Sequence, residues 1–208
     1  MKSSYPIMVH LNGKRVVVVG GGKVAERKVS SLLETGASII VISPEVTERL
    51  KKLASEEKIE WQQVEYSSGD IADAFMIFAA TDDHVLNQRI RQEAGDHQLM
   101  MLADDPEGSD FHVPASLRRG RLTIAVSTGG ASPKLARHIR EQLEQQFDQS
   151  YEDYLDFLYH TRQRILREVE DSLLKNKLLT AIVSSEFLNS RDREGQFIEL
   201  YEKLRAST

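Results

Sequence analysis

The chain has 208 residues, of which 40% are hydrophobic and 28% are charged, a composition typical of a globular protein with one large domain or two small ones. It has no cysteine, which excludes disulfides, thiolate metal sites and a cysteine nucleophile. The net charge is −5 and the sequence has no block of basic residues, so we expect no binding to nucleic acid. No apolar run is long enough to cross a bilayer, and the first residues lack the apolar core of a signal peptide. We therefore expect a cytoplasmic protein that does not bind membranes.

The first half of the chain alternates between short apolar runs and helical segments, which predicts an α/β fold with a doubly wound parallel sheet. The predicted strands cover residues 15–19, 38–42, 59–64, 74–80 and 98–102. The predicted helices cover residues 23–35, 45–56 and 83–94. Gly36 and Gly95 follow two of these helices, and glycine is typical of the position that ends a helix.

The pattern changes after residue 103. Residues 104–114 have the composition of a loop, 122–126 form an apolar strand, and 127–133 form a glycine-rich turn. From Pro133 onward, helical spacing continues almost to the end of the chain, which predicts a small all-helical domain. Four apolar residues share one face of the first of these helices: Leu135, Ile139, Leu143 and Phe147.

The first predicted strand leads directly into three glycines and the start of a helix, in the order Gly20, Gly21, Gly22, Lys23 and Val24. This context is typical of the dinucleotide-binding fingerprint of a Rossmann-like fold. Gly20 permits a tight turn, Gly22 lets the backbone approach a pyrophosphate, and Ala25 keeps the helix close to the sheet. The alternative is a tight turn that binds no ligand.

The end of the second strand bears on which dinucleotide binds. An acidic residue about 20 residues past the glycines usually binds the adenosine ribose, and here the segment reads Ser43, Pro44 and Glu45. No arginine stands beside Glu45 to favour a 2′-phosphate, so the sequence indicates NAD rather than NADP. The alternative for Glu45 is a charge in the first turn of a helix.

Polar residues also follow the fourth and fifth strands, whose carboxyl ends border the same crevice. Thr81 is a candidate cofactor contact, with helix capping as the alternative. Asp104 and Asp105 are adjacent carboxylates, and mutual repulsion predicts that one of them holds its proton more tightly than usual. Such a group serves as a general base, although an Asp-Pro turn is the alternative explanation.

A second glycine turn lies between a strand and a helix. In this turn Ser132 has the character of an N-cap and Pro133 that of the first helical residue, which predicts a site for a carboxylate or phosphate. Basic residues are densest around this turn: Arg118, Arg119, Arg121, Lys134, Arg137, His138 and Arg140. The sequence therefore indicates a polycarboxylate site, with a well-capped helix and a solvated basic face as the alternative.

Five segments, in their order and spacing, resemble the precorrin-2 dehydrogenase and sirohydrochlorin ferrochelatase family: residues 19–28, 79–83, 103–106, 110–115 and 127–137. The resemblance implies NAD-dependent oxidation of precorrin-2, a tetrapyrrole with eight carboxylates, to sirohydrochlorin in sirohaem or cobalamin synthesis. It also implies a homodimer whose chain divides into an NAD-binding domain at 1–113, a dimerisation region at 114–147 and a helical domain at 148–208.

The resemblance assigns Asp104 as the catalytic residue and implies that Thr128, Gly129, Ser132 and Arg137 bind the substrate. The chain departs from the family pattern at Met101 and Ser109, where relatives often have asparagine and cysteine. These departures bear on the chelatase role and not on hydride transfer. Two alternatives stay open beside the dehydrogenase: an enzyme that also inserts iron or cobalt into sirohydrochlorin, and an NAD-sensing module without chemistry. The six histidines are dispersed, so no resident metal site is predicted.

Overall fold

The structure is a computed structural model that describes residues 4–206, and the chain separates between Val113 and Pro114 into two compact units. The first unit contains these elements: β1 (Arg15–Val19), α1 (Lys23–Leu32), a 3-10 turn (Leu33–Thr35), β2 (Ser38–Ile42), α2 (Glu48–Ser55), β3 (Glu60–Gln62), β4 (Met76–Ala79), α3 (His84–Glu93) and β5 (Leu99–Leu102). All five strands are parallel, in the order β3-β2-β1-β4-β5. The order reverses beside β1, which is where ligands bind in open α/β sheets.

The central strands are buried on both faces, and their alternate residues contribute to two separate cores. Val16 and Val18 pack in the core with Val29 of α1. Val17 and Val19 belong to the opposite core, with Ile90 of α3. Helices therefore cover both faces of the sheet, and the prediction of a Rossmann-like, doubly wound parallel sheet is confirmed.

The ends of several elements differ from the predictions. The helix predicted from residue 45 begins only at Glu48, because the Thr47 side chain caps it by accepting a hydrogen bond from Leu50 N–H. Gly36 has a left-handed φ of +71° and ends the helical segment as predicted. The prediction that Gly95 does the same is wrong: α3 ends at an extended Ala94, and Gly95 has no positive φ.

The second unit consists of a hairpin and five helices: β6 (Ala115–Arg119), β7 (Leu122–Val126), α4 (Pro133–Gln146), α5 (Ser150–Glu168), α6 (Ser172–Ala181), α7 (Ser185–Asn189) and α8 (Arg193–Ala206). The sequence did not predict β6, which pairs antiparallel with β7 across a tight turn. Gly120 makes that turn possible with a φ of +51°.

The C-terminal helices enclose their own apolar core, which confirms the predicted helical region. Tyr154 and Phe157 of α5 are buried in it, and the Phe157 ring stacks on Phe187 with 5.7 Å between centroids. The Tyr154 hydroxyl donates a hydrogen bond to the carbonyl oxygen of Ile182 at 2.9 Å. These aromatic side chains hold the helices together.

The hairpin and α4 bury few apolar side chains. Within residues 114–147, Leu117 and Ala136 are the only buried hydrophobic residues. The apolar face of α4 is only partly covered. Leu135 on this face is 49% exposed, and the other three residues are half-buried: Ile139, Leu143 and Phe147. Across residues 4–206, none of the helices combines the length and apolarity that a membrane span requires.

Candidate active site

Two glycines in the turn after β1 have no room for a side chain. A Cβ on Gly20 would collide with the carbonyl oxygen of Ala80, and φ at Gly20 is +116°. A Cβ on Gly21 would collide with the carbonyl oxygen of Glu45. The two glycines thus let this turn pack directly against the loops that follow β4 and β2.

Gly22 differs from both because a Cβ there meets no atom within 4 Å, and its φ of −81° suits any residue. It is the N-cap of α1 and provides no side-chain partner for the N–H groups of the first turn. Those groups and the helix dipole favour an anion. The open space and the helix start without a side-chain cap fit a pyrophosphate, and the exposed side chains of Lys23 and Val24 flank this space.

The loop after β2 folds against the glycine turn. The Ser43 hydroxyl donates to the carbonyl oxygen of Glu45 at 2.7 Å, and Thr47 N–H donates to the carbonyl oxygen of Gly21 at 3.0 Å. Pro44 and Glu45 are exposed. Because α2 begins three residues after Glu45, this carboxylate does not lie in the first turn of a helix, and that alternative is wrong.

Thr81 follows β4 and is held by Asn87, a fully buried side chain. The Thr81 hydroxyl donates to Asn87 Oδ1 at 2.7 Å, and the Asn87 amide donates to the Thr81 carbonyl oxygen at 3.2 Å. The cap of α3 is Asp83, whose carboxylate accepts from the N–H groups of Val85 and Leu86. Thr81 is therefore not the N-cap. Asn87 was not predicted, because no spacing in the sequence distinguishes it.

Asp104 follows β5 and pairs with a histidine of α3. His84 Nδ1 lies 2.7 Å from Asp104 Oδ2, and the Asp104 side chain is 32% exposed. Burial raises the pKa of Asp104, but hydrogen bonds from His84 and Asn87 outweigh it, so the pKa lies below the usual range of an aspartate. Asp104 is therefore an ionised carboxylate at neutral pH. His84 was not predicted, because its partner is 20 residues away in the chain.

The expectation that one of the two adjacent carboxylates holds its proton more tightly is wrong. The pKa of Asp105 is also lowered, first by the N–H of Gly108 and then by the Gln88 amide, which donates at 3.1 Å. These donors outweigh the repulsion from Asp104. Hydrogen bonds, which the sequence does not reveal, decide the sign of both shifts.

The two departures from the family pattern have structural roles here. The Ser109 hydroxyl accepts from Leu102 N–H and donates to the carbonyl oxygen of Asp105, both at 2.9 Å. It thus anchors the loop that contains Asp104. Met101 packs against the apolar core of the first unit.

The sheet brings one group of the predicted residues together. Because β2, β1, β4 and β5 are adjacent and parallel, the segments after them meet at one edge. Gly21 contacts the Ser43–Glu45 loop, Gly20 contacts Ala80, and Thr81 is linked through Asn87 to Asp104. The first unit therefore presents a glycine turn open to an anion beside an ionised carboxylate.

The second glycine turn lies in the other unit. Ser132 caps α4 by accepting from Leu135 N–H at 3.2 Å, and the Thr128 hydroxyl accepts from Ser132 N–H at 3.1 Å. Gly129 has a φ of +57°, and a Cβ there would meet no atom within 4 Å. The turn thus forms the predicted capped helix start, with its backbone open on one side.

Most of the arginines near this turn are already paired. Arg119 and Arg140 contact Glu144 at 3.5 and 2.7 Å, and Arg121 contacts Asp156 at 2.8 Å. Within the described part of the chain, Arg137 forms no ion pair, and its side chain is exposed. The charge available to an anionic ligand is therefore smaller than the sequence cluster indicates. Residues 4–206 contain no group of three or more side chains arranged to hold a metal ion.

Three family descriptions match consecutive parts of the chain. A putative NAD(P)-binding domain matches residues 7–115, which is more than half of the chain. The central domain of a sirohaem biosynthesis protein matches residues 119–146, and a SirC C-terminal domain matches residues 151–197.

Similar proteins extend over nearly the whole chain. A precorrin-2 dehydrogenase of Priestia megaterium is 33% identical over 199 residues, covering 96% of this chain and 98% of the relative. One from Bacillus subtilis (strain 168) is 34% identical, covering 76% of this chain and 98% of the relative. A siroheme synthase of Nitrosococcus oceani is 39% identical, but only 35% of its length is covered. A solved structure named SirC, precorrin-2 dehydrogenase, superposes with a TM-score of 0.82 at 32% identity, covering 96% of this chain and all of that one.

Proposed function

The chain belongs to the precorrin-2 dehydrogenase family, and from this membership we infer that it oxidises precorrin-2 to sirohydrochlorin with NAD in sirohaem synthesis. The observation that carries this conclusion is similarity to a precorrin-2 dehydrogenase over nearly the full length of both proteins. The two relatives that this chain matches over 98% of their length are both precorrin-2 dehydrogenases. The alternative of an enzyme that also inserts iron into sirohydrochlorin is therefore not favoured. A regulatory module without chemistry has no support from these relatives.

We propose that the first unit holds NAD along the edge of its sheet. The first-turn amides of α1, with Gly20, Gly21, Gly22, Lys23 and Val24 around them, bind the pyrophosphate. Ser43, Pro44 and Glu45 line the adenosine ribose, for which the exposed Glu45 carboxylate is an acceptor. Thr81, just past β4, contacts the nicotinamide half. The open space at Gly22 supports this assignment.

Asp104 is the proposed catalytic residue. NAD supplies the acceptor for the hydride, and the departure of that hydride leaves positive charge on the macrocycle. An ionised carboxylate beside the macrocycle stabilises this charge and then accepts the proton that restores neutrality. The low pKa of Asp104, to which His84 and Asn87 contribute, supports the stabilisation of positive charge because the group stays deprotonated at neutral pH.

The proposed substrate-binding residues lie in the second unit. Precorrin-2 has eight carboxylates, and carboxylates bind well to free N–H groups at a helix start and to arginine. Thr128, Gly129 and Ser132 form such a helix start, and Arg137 is an exposed cation one turn further on. Charge reversal by Arg137→Glu is expected to raise the KM for precorrin-2 more than the KM for NAD. An equal effect on both would contradict this assignment.

We further propose that residues 114–147 form a homodimer contact and that the enzyme works in the cytoplasm. Two observations support self-association: this segment buries only two hydrophobic side chains, and the apolar face of α4 is only half covered. The absence of cysteine suits a reducing compartment.

The function itself is tested by mixing the protein with precorrin-2 and NAD. NADH and sirohydrochlorin are expected to appear in equal amounts, and absence of both would contradict the proposal.

A further inference from the structure

Two side chains of α3 converge on Asp104. His84 is the first residue of the helix and Asn87 is three positions later, so both lie on the same helical face. His84 Nδ1 lies 2.7 Å from Asp104 Oδ2. Asn87 helps to lower the pKa of the same carboxyl group. Asp104 is thus held by a rigid element rather than by its own loop alone.

The Asn87 side chain makes three hydrogen bonds with Thr81. Its Oδ1 accepts from the N–H of Thr81 at 3.3 Å and from the Thr81 hydroxyl at 2.7 Å. Its amide donates to the Thr81 carbonyl oxygen at 3.2 Å, and the same side chain helps to lower the pKa of Asp104. An asparagine with no exposed surface therefore joins the loop after β4 to the carboxylate after β5.

His84 approaches the carboxylate from the solvent side. Its side chain is 66% exposed, whereas that of Asp104 is 32% exposed. Its contact with Asp104 is the only one that the imidazole makes with a charged group among the described residues. This contact contributes little to the packing of the first unit, so its removal changes the environment of Asp104 without disturbing the core.

We propose that His84 and Asn87 are positioning residues that fix the Asp104 carboxylate relative to Thr81, and through it relative to the nicotinamide. This inference rests on the proposed roles of Asp104 and Thr81 in precorrin-2 oxidation. Hydride and proton leave the same macrocycle, so the acceptor for each must keep a fixed distance from the other. A misplacement of about 1 Å at a reacting group costs on the order of 100-fold in rate.

The test is a double-mutant cycle on kcat. His84→Ala and Asn87→Ser are each made in the wild-type chain and in Asp104→Asn. In the wild-type chain each is expected to lower kcat by about tenfold or more. In the Asp104→Asn chain His84→Ala is not expected to lower kcat further, because the carboxylate that it positions is gone. Asn87→Ser is expected to lose less there than in the wild-type chain and to keep only the part of its effect that passes through Thr81. The matched control is Gln88→Ala, which removes a contact from the same helix to Asp105 and is expected to leave kcat within about twofold.

A second readout needs neither substrate nor NAD. The titration of Asp104 is followed by carbon-13 NMR in each variant. The charged and titratable groups next to Asp104 are His84 on α3 and Asp105 in its own loop. Both positioning variants are expected to raise the Asp104 pKa toward the ordinary aspartate value, and Gln88→Ala is not. Equal losses of kcat in both backgrounds, or an unchanged Asp104 titration, would overturn the proposal. A wild-type protein that forms no NADH would overturn the proposed function instead. The titration would still show whether His84 and Asn87 act on Asp104.

Discussion

Substitutions at Gly22 are expected to change the affinity for NAD without lowering the stability of the fold. Its φ is −81° and the space beside it is open, so a side chain there costs no backbone strain. We expect Gly22→Asp to keep or raise the Tm, because aspartate is a favoured N-cap residue. We also expect NAD affinity to fall by about 100-fold or more, because the new carboxylate meets the pyrophosphate. Calorimetric titration with NAD and thermal unfolding measure the two effects.

The matched control for that variant is Gly22→Asn, which has the same shape without the charge. It is expected to lose less NAD affinity than Gly22→Asp, since it blocks the space but repels nothing. Unchanged NAD affinity in Gly22→Asp would contradict the location of the pyrophosphate.

Gly20 is expected to behave in the opposite way. A Cβ there would collide with the carbonyl oxygen of Ala80, and φ is +116°. Gly20→Ala is therefore expected to lower the free energy of unfolding by about 2 kcal/mol or more. Gly22→Ser, at an N-cap with open space, is the control and is expected to change it by less than about 0.5 kcal/mol. Urea unfolding measures both, and equal losses would contradict the difference between these glycines.

At the scale of the element, α3 is tied to the connection between β3 and β4 by a buried tyrosine. The Tyr66 hydroxyl donates to Glu93 at 2.6 Å, and this bond is the main reason that the Glu93 pKa is lowered. A carboxyl group with a lowered pKa in the folded state stabilises the fold above its unfolded pKa of about 4.3, and this contribution is lost as the pH falls. Tyr66→Phe is expected to cost about 1 kcal/mol at pH 7 and less below pH 4.

Unfolding at a series of pH values tests this expectation. Tyr5→Phe is the control, because Tyr5 is 86% exposed and its loss of a hydroxyl is expected to cost nothing at any pH. A cost for Tyr66→Phe that stays constant from pH 7 to pH 3 would show that Glu93 does not provide the stabilisation.

Strands made of consecutive β-branched residues were predictable to the residue, whereas a strand with few apolar residues was missed. β1 and β2 match their predicted bounds because runs of β-branched residues favour buried parallel strands. β6 was missed because Ala115–Arg119 contains one buried apolar residue, Leu117, and two arginines. Its strand conformation depends on pairing with β7, which is tertiary information.

In the candidate site, too, features visible in the sequence were predicted and those that depend on tertiary packing were not. The sequence identified each loop at the carboxyl edge of the sheet, because glycine turns and adjacent carboxylates are visible in it. It did not identify His84 or Asn87, because their contacts with Asp104 depend on how α3 packs beside β5. For the same reason it predicted the wrong sign for the pKa shift of the Asp104 and Asp105 pair.

At the scale of the whole molecule, the half-covered α4 face predicts self-association. We expect sedimentation equilibrium to give about twice the 23.6 kDa mass of one chain. Leu135→Lys adds a charge to this face at a residue that is 49% exposed, so it is expected to weaken the dimer without unfolding the chain. Gln145→Lys lies on the opposite side of α4 and is the control. A wild-type protein that sediments as a monomer would contradict the dimer.

The most direct test of the account is the initial rate of NADH formation from precorrin-2 in three proteins: wild type, Gly22→Asp and Asp104→Asn. We predict that wild type turns over, that Gly22→Asp recovers rate only at much higher NAD concentration, and that Asp104→Asn loses on the order of 100-fold in kcat at saturating NAD. A wild type without NADH formation, or an Asp104→Asn variant with an unchanged kcat, would contradict the account.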